Sequence, residues 1–185
     1  QKVSFPSSVC QAALAAGALF LSAPASADHW SVGVSGLGIS TDSARENDFS
    51  ADGGTGFEVD VRYNLSDCRA IELNYAGWAI DVSPSNNDKG IDNLTLNYLW
   101  GQLAGKHQAY GLVGVGAGRA DLSNGEETNY SVFNLGVGWQ SAVAERWSVG
   151  AELKMQRSKD DSSVAGIDDY DDIILGAGVR YRFGG

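Results

Sequence analysis

Two histidines, a dense run of aspartates and a set of charges spaced two residues apart are the groups in this sequence that invite a chemical reading. His29-Trp-Ser31 sets an imidazole two residues from a hydroxyl, the pair from which a serine nucleophile and its base are made. A working pair also needs a third group to orient the base, and the only other histidine, His107, falls in a predicted short turn with no serine near it. Catalysis is not expected from either. Asp160-Asp161 and the run Asp168-Asp-Tyr-Asp-Asp172 collect oxygen ligands, so Asp168, Asp169, Asp171 and Asp172 form a candidate calcium site, although their spacing matches no known calcium loop and a solvated acidic segment is the plainer reading. Gly114-x-Gly-x-Gly118 lacks the spacing and the following helix of a nucleotide loop, and fits small residues where strands crowd. No cofactor is expected.

The remaining charges alternate with apolar residues, which is the period of a strand. In the cleanest stretch Phe57, Val59, Val61 and Tyr63 alternate with Glu58, Asp60 and Arg62. Seven more follow or precede it: 30–39; a third with Ile71, Leu73 and Tyr75 opposite Glu72 and Asn74, where Gly77-Trp78 predicts a bulge that shifts the phase; 94–100; 109–120, with Val113, Val115 and Ala117 on one face; 133–140; 147–156; and 173–183. Between them lie longer polar links at 40–56, 81–93, 121–129 and 158–172, and shorter ones at 65–69, 101–108 and 141–146. Long and short links in alternation predict hairpins whose long loops all gather at one end.

Residues 1–27 have the layout of a secretory signal, with a short apolar centre and an Ala-Ser-Ala end, which leaves 28–185 as one domain. The mature part carries 12 basic and 23 acidic residues, a net of −11, which excludes nucleic acid as a partner of choice. Cys10 precedes the apolar centre, the wrong side for lipidation, and Cys68 alone can build neither a disulfide nor a zinc site.

The aromatic residues decide which face meets what. With odd strands running one way and even strands returning, Trp30, Tyr63, Trp100, Trp139, Trp147 and Phe183 all fall on the apolar face at the end of the short links. Random placement would not respect strand direction, whereas a membrane interface selects amphipathic rings in that way. Phe57, Tyr75, Phe133 and Tyr170 would make a sparser second ring. The opposite face then lines an interior carrying Glu58, Asp60, Glu72 and Glu152 against Arg62, Lys154, Arg180 and Arg182. Eight strands enclose room for side chains only, so these charges are expected to pair and fill it. The expected fold is all-β: an eight-stranded antiparallel up-and-down transmembrane β-barrel with a polar, ion-paired interior.

The strand Tyr110-Gly-Leu-Val-Gly-Val-Gly-Ala-Gly118, the run Leu135-Gly-Val-Gly-Trp139 and the ending Gly176-Ala-Gly-Val-Arg-Tyr-Arg-Phe183 make the mature chain resemble the small outer-membrane barrels typified by the OmpA transmembrane domain, OmpX, Ail and the opacity proteins. The resemblance implies that Val179, Tyr181 and Phe183 form the terminal signal read by the barrel-assembly machinery, from which Gly184 and Gly185 depart by extending past the aromatic. It implies that machinery and periplasmic chaperones as partners during biogenesis, and outer-membrane lipids and lipopolysaccharide around the finished barrel. Lipid A deacylases of this membrane use a His-x-Ser pair, but His29-Trp-Ser31 lies at the wrong end of the chain for them, and no histidine lies in a long link as omptin-like proteases require. The expected function is structural or surface-interacting, with the long links displayed outside; the alternatives are a small-solute or ion channel and a lipid A-modifying enzyme.

Overall fold

The computed structural model describes residues 29–41, 50–83, 89–121, 127–160 and 170–183. Eight antiparallel strands close into a barrel: β1 (Trp30–Thr41), β2 (Ser50–Ser66), β3 (Arg69–Ser83), β4 (Lys89–Gln102), β5 (His107–Asp121), β6 (Glu127–Ala142), β7 (Trp147–Asp160) and β8 (Tyr170–Arg182), in sequential order. The seam pairs Ser31 with Arg182 at one end and Thr41 with Asp172 at the other. Closure leaves no strand edge, which a sheet surrounded by lipid requires because nothing there satisfies an open edge.

Burial alternates along most of each strand. Leu94, Leu96, Tyr98 and Trp100 of β4 are exposed outward, while Asn93, Thr95, Asn97 and Leu99 between them are buried. The same inversion holds on β6, where Phe133, Leu135, Val137 and Trp139 point out and Asn134 points in, and it resolves the glycine-rich β5 with Val115 outward and Tyr110 and Leu112 inward. An exterior of exposed leucines, valines and tryptophans around an interior of buried amides and charges is the reverse of a soluble barrel.

Two expectations need correction. The pairing of β3 with β4 runs in continuous register from Arg69 to Ile80, so no bulge shifts the phase at Gly77. Trp78 lies inward, 4% exposed, because it continues the parity of Glu72, Asn74 and Ala76. The strands also run well into the predicted long links: β2 begins at Ser50, β3 ends at Ser83 and β4 begins at Lys89. Beyond the lipid neither face of a strand need be apolar, so the two-residue hydrophobic period vanishes although the ladder continues. A membrane strand needs about 9–11 residues, and β2 has 17.

The short links are tight. Asp67 and Cys68 turn between β2 and β3, and Leu103 and Gly101 dock onto them, donating their amides to the Asp67 carbonyl at 2.8 Å and the Cys68 carbonyl at 3.1 Å. Gly105, in the four-residue link after β4, has φ +91°, a conformation that glycine adopts without strain.

The inward glycines of β5 and β6 make room for two tyrosines. Tyr110 pairs across the sheet with Gly138, and Gly118 with Tyr130, and in each pair the ring lies where a Cβ of the glycine would be. Gly138→Ala would drive a methyl into the Tyr110 ring and is expected to lower the unfolding free energy by about 1–3 kcal/mol. Gly36→Ala, with nothing within 4 Å of the new methyl, is the control expected to change little in urea unfolding from liposomes.

Candidate functional site

The interior is layered along the barrel axis, and each layer follows from the parity of the strands. Toward the short-link end Arg62 of β2 donates from Nε and Nη2 to Glu72 Oε2 of β3, at 2.9 and 2.7 Å. Arg180 of β8 reaches the same oxygen at 3.3 Å and Asp60 Oδ1 at 2.5 Å. Lys154 of β7 is paired with Glu58 and lies 3.2 Å from Glu152 Oε1. Glu72 is 1% exposed and Arg62 2%, and buried charges of this kind are tolerable only when paired and hydrogen-bonded.

Seven of the eight charges read from the sequence therefore meet. Arg182 does not: its Nη2 donates to the backbone carbonyl of Glu145 at 3.1 Å, at the rim of the barrel. Strand parity gave its direction correctly but not its depth, since it stands one step beyond Arg180 toward the end of β8. The seven that meet, four carboxylates and three cations, sum to one negative charge. Neutral donors supply the difference. The Tyr110 hydroxyl accepts from Arg62 Nη2 at 3.2 Å and donates to Glu152 at 3.1 Å, while Asn97 donates to Glu72 at 3.2 Å. The Arg62 guanidinium also lies 4.6 Å from the Tyr110 ring centroid, a cation–π contact. Tyr110, Asn97 and Gln140 are members of the network that charge alone did not reveal; their inward parity is the signal that finds them.

Above the ions lies an amide layer, in which Tyr130 donates to Asn93 at 2.6 Å and Asn93 donates to Gln156 at 3.0 Å. Toward the long-link end Leu37, Ile39, Trp78, Ile91, Val132 and Ile174, contributed by five strands with Ala76 and Tyr130, pack together as an apolar cluster. The interior is thus polar and ion-paired through its middle, with this apolar cluster toward the long-link end, buried Ser158 and Asp172 beyond it, and a second apolar cluster of Ala70, Leu99, Leu103 and Leu112 beside Tyr110 toward the short-link end.

The girdle residues all lie at the short-link end. Trp100, Trp139 and Trp147 are exposed outward, and Trp30, Tyr63 and Phe183 are half-buried there. Rings of Trp30 and Tyr63 lie 4.8 Å apart, and Tyr181 stands 5.0 Å from Trp147 and 5.2 Å from Phe183. Val179 and Tyr181 share the outward face of β8, and the Phe183 amide donates to the Trp30 carbonyl at 3.0 Å. Of the second ring, Phe57 and Tyr75 lie 6.2 Å apart and Phe133 is exposed.

The four aspartates proposed for calcium are not one set. Asp168 and Asp169 lie outside the described residues, and β8 turns Asp171 and Asp172 to opposite faces because they are consecutive in a strand. Asp172 is buried inward, whereas Asp171 accepts from Arg157 Nε and Nη2 at 2.7 and 2.8 Å, hydrogen bonds that hold its carboxyl below the usual range. Gly184, Gly185 and the 1–27 segment also lie outside the described residues.

The histidine reading needs one correction as well. His107 does have a serine beside it: Ser141 Oγ lies 3.1 Å from Nδ1, because β5 and β6 pair these two residues across the sheet. The imidazole stacks 6.4 Å from the Trp139 ring on the outward face, and no carboxylate is among its described partners. His29 lies against Tyr63, while Ser31 points inward and accepts from Arg180 at 3.2 Å, so these two do not form a pair.

The solved structure of Neisserial surface protein A superposes with a TM-score of 0.59 at 17% identity, covering 83% of this chain and 97% of that one. Ail of Yersinia pestis gives 0.49 at 19% identity over 83% and 97%, and the N-terminal barrel of Pseudomonas aeruginosa OprF gives 0.49 at 14% over 82% and 97%. No curated protein matches the chain at a significant level. A sequence model of the outer membrane protein beta-barrel domain matches residues 12–183. Eight closed strands, an apolar exterior and that match over nearly the whole sequence make this chain a member of the outer-membrane β-barrel family, resident in the bacterial outer membrane.

Proposed function

We propose that this barrel is a structural and surface-interacting protein whose lumen passes no solute and whose long-link end meets partners outside the cell. The observation that carries the reading is the succession of filled layers. A solute entering from the short-link end would meet the Arg62–Glu72 and Arg180–Asp60 pairs, then the Asn93 amide layer, then apolar side chains from five strands. Dispersing the ions strands buried charge, and passing the apolar layer desolvates the solute.

Outer-membrane lipids fit the exposed band that includes Leu96, Leu135 and Leu153. Above it Arg119, Arg157 and Lys159 face outward near the long-link end, at the level where lipopolysaccharide phosphates would stand. Val179, Tyr181 and Phe183 present an outward apolar strip on the last strand, which suits recognition by the assembly machinery and its chaperones during insertion. The Ser141–His107 contact does not favour a hydrolase, because the base has no orienting carboxylate among its described partners.

Purified protein in planar bilayers is expected to give no unitary conductance, and replacing links 42–49, 84–88, 122–126 and 161–169 by short Gly-Ser turns is expected to abolish adhesion of expressing cells while the barrel still folds. Steady conductance in the unmodified protein would favour the transport reading instead.

A further inference from the structure

The short-link mouth of the barrel opens into a recess of about 40 Å³, continuous with solvent at its rim, whose lining includes Arg62, Arg146, Arg180 and Arg182. In a chain with a net charge of −10, the guanidiniums of Arg62, Arg180 and Arg182, on inward-facing positions around one recess, form a local inversion of sign. Among the described residues a single carboxylate side chain, that of Glu145, shares this lining.

The cations divide by how they are matched. Arg62 and Arg180 turn one edge inward to Glu72 and Asp60, which fixes both side chains. Their other edges meet neutral acceptors: Arg62 Nη1 reaches Gln140 at 3.4 Å, and Arg180 Nη1 reaches the Ser31 hydroxyl at 3.2 Å. Nearer the rim Arg182 donates to the Glu145 backbone carbonyl at 3.1 Å and Arg146 to the Tyr181 hydroxyl at 3.3 Å, again neutral acceptors. The amide oxygen of Asn64, on the same wall, is buried with no hydrogen-bond partner among the described residues, and the amide turned over would present its N–H instead.

We infer that this mouth binds a phosphate-class oxyanion, held by the guanidinium edges of Arg180 and Arg182. Arginine suits such a ligand because its planar fork matches the oxygens of phosphate. Arg180 is already fixed by its inward partner, so binding there loses little side-chain freedom. The anion would come either from a free phosphate on the periplasmic side or from the headgroup of an anionic phospholipid bent over the rim. The inference stands whether or not the lumen conducts, since it concerns the mouth alone.

The test uses the whole barrel refolded in zwitterionic micelles, with the arginine Nε–Hε resonances followed by NMR as inorganic phosphate replaces chloride at constant ionic strength. Saturable shifts of Arg180 and Arg182 are expected, and Arg182→Gln should weaken the apparent affinity about tenfold or more, the loss of one charge-assisted hydrogen bond. Arg146→Gln, at an exposed rim position and bonded to outward-facing Tyr181, is the control expected to leave the affinity unchanged. In nanodiscs without added phosphate, the same shifts on adding phosphatidylglycerol identify the lipid as the source, whereas shifts only with free phosphate identify the soluble ion. Shifts that follow chloride as well as phosphate, or an affinity unchanged in Arg182→Gln, overturn the inference.

Discussion

Glu72→Ala is expected to destabilise the barrel by about 3–5 kcal/mol, the cost of leaving a buried charge without its partner. The carboxylate accepts two hydrogen bonds from Arg62, one from Arg180 and one from Asn97. Its removal leaves Arg62 buried with only the Tyr110 hydroxyl and the Gln140 amide as described partners. Arg180→Ala should follow it, because Asp60 then loses the cation it pairs with. Glu152→Ala should cost less, since its side chain sits at the edge of the network, 12% exposed, and Lys154 keeps Glu58. Arg182→Ala should change little, because its described hydrogen bond is to a backbone carbonyl at the rim. Urea unfolding from liposomes reads this order, and a Glu72→Ala barrel as stable as the unmodified protein would refute the network.

Trp78→Ala should produce the second large effect, a loss of about 3–5 kcal/mol for deleting a buried aromatic side chain, together with the appearance of conductance. The indole is the largest member of the apolar cluster at the long-link end. Its Nε1 is buried without a hydrogen-bond partner among the described residues, so Trp78→Phe removes an unsatisfied donor and should retain most of the stability. Planar-bilayer recordings should then show brief openings in Trp78→Ala and none in Trp78→Phe. Silence from Trp78→Ala, with the stability lost, would place the barrier to solutes in the ionic layer below.

Most of the architecture was legible because a lipid-facing strand leaves a strong two-residue period: Leu94, Leu96, Tyr98 and Trp100 could not all be outward on any other element. The ionic layer was legible for the same reason, since Glu58, Asp60 and Arg62 occupy the opposite parity on one strand. Trp78 was misread because Gly77 precedes it and a tryptophan suggests the interface, whereas the paired register carries it inward unchanged. The apolar cluster was hidden because Leu37, Ile39 and Ile174 look like lipid-facing residues until parity is counted from the polar end of their strands. Tyr110 and Ser141 escaped because their partners, Arg62 and His107, are 48 and 34 residues away in sequence and meet them only through strand pairing or across the lumen. Depth along a strand has no periodic signature, and Arg182 shows the consequence: the right face, at the wrong height.

The strands that continue past the membrane have a thermodynamic consequence for recognition. The link after β1 spans 42–49 and not the 40–56 that hydrophobic period suggested, so half of that segment is already held in a hydrogen-bonded ladder. Each halving of a free loop removes about 0.6 kcal/mol of closure entropy, and every residue fixed in advance is one that a partner need not order at about 1–2 kcal/mol of backbone entropy apiece. A binding surface raised on paired stalks of this kind can hold a partner with fewer contacts than a surface of free loops, and can change its contact residues without loosening the barrel beneath.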